Sequence, residues 1–249
     1  MAVTTVEADD VARAHWALAA ADLSDFIWGH ASQRAASGDG IVIKSSGWAF
    51  EEIDADKVIE VSWDGELLDG AGNVHIEVPI HTQIMLARPT VNAVVHCHSP
   101  AVTAFASLDQ PLRPLSHEGV LFAGSLPRFT LTGDLIRTRE LGAALATQLG
   151  SAPAALMVRH GMVAVGPDLP TAVMHAVLLD KACRIQLMAA AAGGPLIWSD
   201  DEEVSAKRSV VFQPFAKTYR YLVDVGQRLH ERGIDNVRSG QLFPSEAQR

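Results

Sequence analysis

Cysteine is scarce in this chain, basic charge is in the minority, and long apolar runs are missing. The 249 residues hold only two cysteines, Cys97 and Cys183, far apart in the sequence. Two isolated thiols without a secretion-type segment argue against a disulfide framework and suit reduced thiols in a cytoplasmic protein. Lys and Arg number 20 against 29 Asp and Glu, a formal charge of −9, and no basic stripe interrupts that balance. Nucleic acid is therefore a poor partner, because neutralising phosphates needs clustered cations. No stretch approaches the roughly 20 apolar residues of a membrane span. Residues 1–10 are acidic, with neither a basic leader nor an apolar signal core. Internal repeats and low-complexity tracts are likewise missing.

What is present is a 48% hydrophobic composition, enough for one sizeable core over residues 1–249. Helical spacing of Val11, Trp16, Leu18, Leu23, Phe26 and Ile27 predicts a first helix over 6–28, ended by Gly29. Ile41-Val42-Ile43 reads as a buried strand, and 58–61 with 66–68 as a hairpin with a tight turn at Asp64-Gly65. A helix is predicted over 77–88, with Pro79 in its first turn. A nearly continuous apolar strand over 91–98 follows, then a helix capped by Ser99 and started by Pro100. Residues 133–150 contain another helix. Strands at 154–158 and 162–165 flank Arg159-His160-Gly161, and Asp168 caps a long helix over 170–192. Gly193-Gly194-Pro195 breaks it. The segment 195–249 is amphipathic, with Phe215, Tyr219, Leu222, Val223 and Leu229 spaced to cover the core or contact a neighbouring subunit. Interleaved strands and helices give an α/β layered domain.

Three histidines carry the chemistry. A strand alternates its side chains, so His96 and His98 share one face while Cys97 takes the other. Two imidazoles side by side on a buried face are costly unless a proton or a metal links them. His160 lies too far along the chain for spacing alone to join it to that pair. Glu77 opens its helix four residues before His81, which puts the two on one face. A carboxylate beside an open metal position can move a proton. The plain alternative is a helix-start carboxylate held by the dipole.

In order, the chain has Glu77-x-x-x-His81, then Ala87-Arg88-Pro89-x-x-x-Ala93-Val94-Val95-His96-x-His98-Ser99, then His160-Gly161-x-x-Ala164-Val165-Gly166. This series resembles the class II aldolase/adducin family, from the first helix to about residue 187. The resemblance implies a three-layer α/β/α sandwich around a mixed, largely antiparallel sheet. It also implies a homotetramer with sites near subunit interfaces. It assigns His96, His98 and His160 to a divalent metal, Zn2+ or Mn2+, and Glu77 to the catalytic acid/base.

Two departures bear on substrate. Sugar-phosphate aldolases of the family cradle phosphate with small polar residues, because backbone N–H groups and hydroxyls must approach closely. This chain has Gly29-His30-Ala31-Ser32, Lys44-Ser45-Ser46-Gly47 and His75-Ile76-Glu77 at those loops, and only Ser46-Gly47 keeps the phosphate-binding character. A flat carboxylate suits such a pocket better, with His30, Arg34, Lys44 or His75 as anion partners. The second departure is His117, where relatives commonly carry a tyrosine from a neighbouring subunit as proton donor; the substitution moves the acid from a pKa of about 10 to about 6.5. Both departures are similar to the family's branch of aromatic-carboxylate decarboxylases. The expectation is a metal-dependent carbon–carbon lyase decarboxylating a hydroxylated aromatic or pyridine carboxylate. The alternatives are an aldolase on a hydroxy-carbonyl substrate, an oxygenase known among relatives, and an adducin-like interaction protein without catalysis.

Overall fold

The computed structural model describes residues 3–124, 126–193, 196–211 and 215–238, with side chains through residue 232. The frame is an eight-stranded sheet in the order β4-β3-β2-β1-β5-β8-β7-β6. Its strands are β1 (His30–Arg34), β2 (Gly40–Lys44), β3 (Val58–Ser62), β4 (Leu67–Asp69), β5 (Ala93–Cys97), β6 (Arg128–Phe129), β7 (Ala154–Met157) and β8 (Gly161–Gly166). The β6–β7 pair is parallel and every other pair is antiparallel. The sheet is thus mixed and largely antiparallel.

Alternation along the strands builds two cores. Val42, Val95 and Cys97 face one side, where they meet α1 (Thr5–Ala20), α3 (Pro100–Ala106) and α5 (Leu169–Ala191). Ile41, Ile43 and Val94 face the other, under α2 (Val78–Ala87) and α4 (Arg139–Leu149). These are the three layers. The first face is covered further by α7 (Phe215–Arg238), whose Phe215 is buried and whose Tyr219, Leu222 and Val223 pack on the same core; Leu229 stays exposed. A short helix, α6 (Asp201–Val211), precedes it. None of the helices among the described residues is long and apolar enough to cross a membrane.

The predicted caps hold where their chemistry is local. Ser99 accepts from Val102 N, and Asp168 from Thr171 N. Helix ends differ more. The first helix stops at Ala20 rather than running to residue 28, because Leu23 N donates to Leu18 O and Asp22 N to Ala19 O with Asp22 at φ 61. That is a Schellman ending with aspartate in the left-handed position usually held by glycine. Phe26, Ile27 and Trp28 therefore leave the helix and stand exposed in a loop. The helix predicted within 133–150 begins only at Arg139, capped by Thr138. The turn between β3 and β4 is longer than a two-residue hairpin, closing through Ser62 N to Glu66 O. The long helix ends at Ala191, and Gly194 and Pro195 of the predicted break lie outside the described residues, as do 239–249 of the tail. Two strands, β1 and β6, were not predicted.

Candidate metal centre

β5 lies between β1 and β8, and His96 sits near its end, opposite His30 on one side and Val163 on the other. His96 is fully buried. Its Nδ1 donates to Met162 O at 2.8 Å, which leaves Nε2 with a bare lone pair. His98 follows two residues on, with Nδ1 3.3 Å from an Asp25 carboxylate oxygen. A proton on that Nδ1 leaves its Nε2 bare as well. The two Nε2 atoms are 2.9 Å apart. Two lone pairs at that distance repel unless a cation or proton lies between them. Burial, with His96 and His160 adding to it, lowers the His98 pKa to about 3, so a shared proton is disfavoured.

His160 comes from the β7–β8 turn. His160 N donates to Met157 O at 3.0 Å, and Arg159 before it takes φ 66. Gly161 then starts β8. A Cβ there would sit 2.3 Å from Cys97 O and 3.1 Å from the His98 ring, so only glycine lets this hairpin close on the end of β5. Gly29 performs the same service for β1, at φ +75, where a Cβ would lie 2.9 Å from Phe50 and 3.1 Å from His96 O.

Glu77 occupies the N-cap position of α2, yet its side chain makes no capping bond. It turns to the histidines instead: Oε2 is 3.6 Å from His96 Nε2 and Oε1 3.5 Å from His160 Nε2. Oε1 also accepts from Ile136 N at 2.8 Å. Burial pushes its pKa up, but the His160 and His96 imidazoles beside it outweigh that and hold the carboxyl far below the ordinary range. Glu77 keeps its place at the helix N-terminus, while its carboxylate faces the histidines rather than the N–H groups of the first turn.

One donor atom from each of Glu77, His96, His98 and His160 lies within 4.8 Å of the others. Both ring nitrogens of His160 are buried without a hydrogen-bond partner among the described residues. Three imidazoles and a carboxylate, with an unpartnered buried nitrogen among them, fit a divalent ion of the zinc or manganese type. Cys97 points to the opposite core, and burial pushes its thiol well above the ordinary range, so it is no ligand.

Three more imidazoles, those of His30, His75 and His81, adjoin the cluster. The His30 ring lies 5.1 Å from His96 and 4.5 Å from His75, measured between ring centroids, tilted against both. Its Nδ1 is 2.6 Å from His81 Nε2, and His81 Nδ1 is 2.6 Å from Ser32 Oγ. Burial is the first cause holding His30 and His81 well below the ordinary histidine pKa. His75 is lowered to about 3, by burial and then by the Lys44 charge. Its Nε2 is buried and has no hydrogen-bond partner among the described residues. Ser46 pairs its backbone with Asn73, which ties the Ser46-Gly47 loop to the segment carrying His75.

Other predicted residues stand elsewhere. Lys44 is buried on the opposite face, where its Nζ donates to Ile27 O and Trp48 O; burial lowers its pKa to about 8. Arg34 is not brought to the histidines. Its guanidinium donates to Met85 O, Val91 O and Asn92, lies over the Trp63 ring, and borders a separate cavity of about 810 Å3. The cause is position: it lies four residues from His30 at the other end of β1, roughly 13 Å along a strand. His117 is exposed on a turn, and none of the cluster's ring contacts or hydrogen bonds involves it. Asp25, Ser32 and the Ile136 N–H were not predicted. The His30-x-Ser32 alternation could have signalled Ser32; nothing in the sequence signals Asp25, which is placed by the left-handed turn after α1.

Comparison with known proteins bears on the family and the fold. The family model "Class II Aldolase and Adducin N-terminal domain" matches residues 9–187. The chain is 31% identical over 192 residues to a 3,4-dihydroxyphthalate decarboxylase of Arthrobacter keyseri, covering 72% of this chain and 77% of the relative. It is 36% identical over 147 residues to a 4-hydroxy-3-prenylphenylpyruvate oxygenase/4-hydroxy-3-prenylbenzoate synthase of Streptomyces roseochromogenus subsp. oscitans. That match covers 58% of this chain and spans about half of the relative, 53%. Among solved structures, the L-fuculose 1-phosphate aldolase of Glaciozyma antarctica superposes with a TM-score of 0.79 at 23% identity, over 91% of this chain and 92% of that one. At that identity the likeness is one of fold.

Proposed function

The chain belongs to the class II aldolase and adducin family, and within it we propose a metal-dependent carbon–carbon lyase that decarboxylates a hydroxylated aromatic or pyridine carboxylate. The carrying observation is the Glu77, His96, His98 and His160 cluster, bordered by the imidazoles of His30 and His75. The similarity to a protein named as a 3,4-dihydroxyphthalate decarboxylase supports the same substrate class.

His96, His98 and His160 would hold Zn2+ or Mn2+, which supplies Lewis acidity to draw charge away from the ring as carbon dioxide leaves. Glu77, ionised by its histidine neighbours, accepts the proton of a ring hydroxyl at a carboxylate oxygen. It then hands a proton to the ring carbon as the bond to the carboxylate breaks. His30 and His75 present polar edges to the substrate carboxylate, with Ser46 and Gly47 closing the loop beside them. His117 completes the site from a neighbouring subunit as a second proton donor. Exposed Phe26, Trp28 and Trp48 supply apolar surface for such a homotetramer contact. Arg34 has no part in binding.

The test is product analysis with zinc- or manganese-loaded protein. Carbon dioxide released from dihydroxylated phthalates, benzoates or pyridine carboxylates is the expected outcome. Aldehyde release from sugar phosphates would put an aldolase in its place. The relative named as an oxygenase makes oxygen uptake without decarboxylation the other contrary result.

A further inference from the structure

Ser32, His81 and His30 form a buried chain that ends beside the metal cluster. Ser32 and His30 lie on the same face of β1, and His81 reaches down from α2 to meet both. All three are almost or wholly buried. Each contact is 2.6 Å, so one proton occupies each gap. With neutral rings, two arrangements satisfy the chain. In one, Ser32 donates to His81 Nδ1, His81 Nε2–H donates to His30 Nδ1, and His30 keeps its proton on Nε2. In the other, every donor is reversed, His30 Nε2 is bare, and the Ser32 hydroxyl proton must find an acceptor elsewhere. Among the described residues no second bond of the Ser32 hydroxyl occurs, so the reversed arrangement strands a buried proton.

The geometry points to Ser32 and His81 as positioning residues that lock His30 as an Nε2–H donor toward the substrate's carboxylate beside the metal cluster. His30 is directly opposite His96 in the β1–β5 pair, with Nδ1 already taken, so Nε2 is the nitrogen left for that side. A fixed donor selects an anionic oxygen and rejects a group that can only donate. Specificity is thus set two residues behind the contact. This deepens the decarboxylase reading and rests on it only for the identity of the ligand.

The experiment uses full-length, zinc-loaded protein with 15N-labelled histidine side chains, and calorimetric titration with 3,4-dihydroxybenzoate. Wild type should show His30 protonated on Nε2 alone. Ser32→Ala should abolish that single tautomer, leave one zinc per chain, and weaken 3,4-dihydroxybenzoate about tenfold, as loss of one oriented bond to a carboxylate predicts. Ser32→Thr should restore both readouts, and His81→Gln should weaken binding as Ser32→Ala does. A wild-type His30 protonated on Nδ1, or a tautomer indifferent to Ser32→Ala, overturns the proposal. Wild type that ignores 3,4-dihydroxybenzoate counts against the decarboxylase reading, while the tautomer spectra still decide the relay.

Discussion

On either side of β1 a helix contributes a completely buried histidine, and the two have different partners. His15 of α1 lies on the face with α5 and α7, and both of its nitrogens go to backbone: Nδ1 to Val11 O at 2.7 Å and Nε2 to Ala31 N at 3.0 Å. His81 of α2 lies on the opposite face, and both of its nitrogens go to side chains that lead to the metal cluster. Burial is the main cause lowering both pKa values. Burial alone therefore says little about role. A histidine tied to backbone fastens a helix to a strand. One tied to movable polar groups passes orientation on to them.

The largest effect is expected on the site face. Glu77→Gln keeps an acceptor for Ile136 N but no longer takes a proton. We expect kcat to fall by about 10²–10⁴ with metal content intact. A steady-state rate within threefold of wild type would remove Glu77 from catalysis.

Replacing His117 by phenylalanine should lower kcat about tenfold while leaving metal content and fold unchanged, if it serves a neighbouring subunit. Mixing this variant with Glu77→Gln should recover part of the activity, because some sites then draw intact residues from both chains. No recovery in mixed oligomers would confine the site to one chain.

His15 gives the frame face its own signature. Its folded pKa is lowered to about 3, below the unfolded value near 6.5, so the unfolded state binds the extra proton between those limits. His15 should therefore contribute fully above about pH 6.5, and that contribution should be lost as pH falls toward 3. Urea unfolding at pH 7.5 and pH 5 should show a steeper loss for wild type than for His15→Gln, by on the order of 1–2 kcal/mol. Parallel pH slopes would refute the assignment.

The smallest effect on chemistry belongs to Arg34. Arg34→Met strips donors from Met85 O and Val91 O and should cost about 1–3 kcal/mol of stability. Its kcat and KM should stay within about twofold. A large rise in KM would return Arg34 to the substrate.

The sequence was most readable where one rule acts locally. Strand alternation places His96 with His98 and sends Cys97 away, and the proline-led, Ser- or Asp-capped helices begin where those residues stand. It was least readable where backbone geometry departs from composition. Asp22 takes the left-handed position that ends α1, and nothing in its neighbourhood announces that. The same turn carries Asp25 to His98. β1 was missed because His30, Ser32 and Arg34 look polar, although two of them are buried as part of the site. Contacts between distant segments, such as His81 with Ser32, depend on the strand order, which local patterns do not contain.

Metal stoichiometry decides whether Glu77, His96, His98 and His160 form a metal centre. Purified protein dialysed against zinc or manganese and analysed by mass spectrometry should carry about one ion per chain. Protein with His98→Ala should carry almost none while His15→Gln keeps its ion. One tightly held ion in folded His98→Ala protein, or none in wild type, would contradict the account.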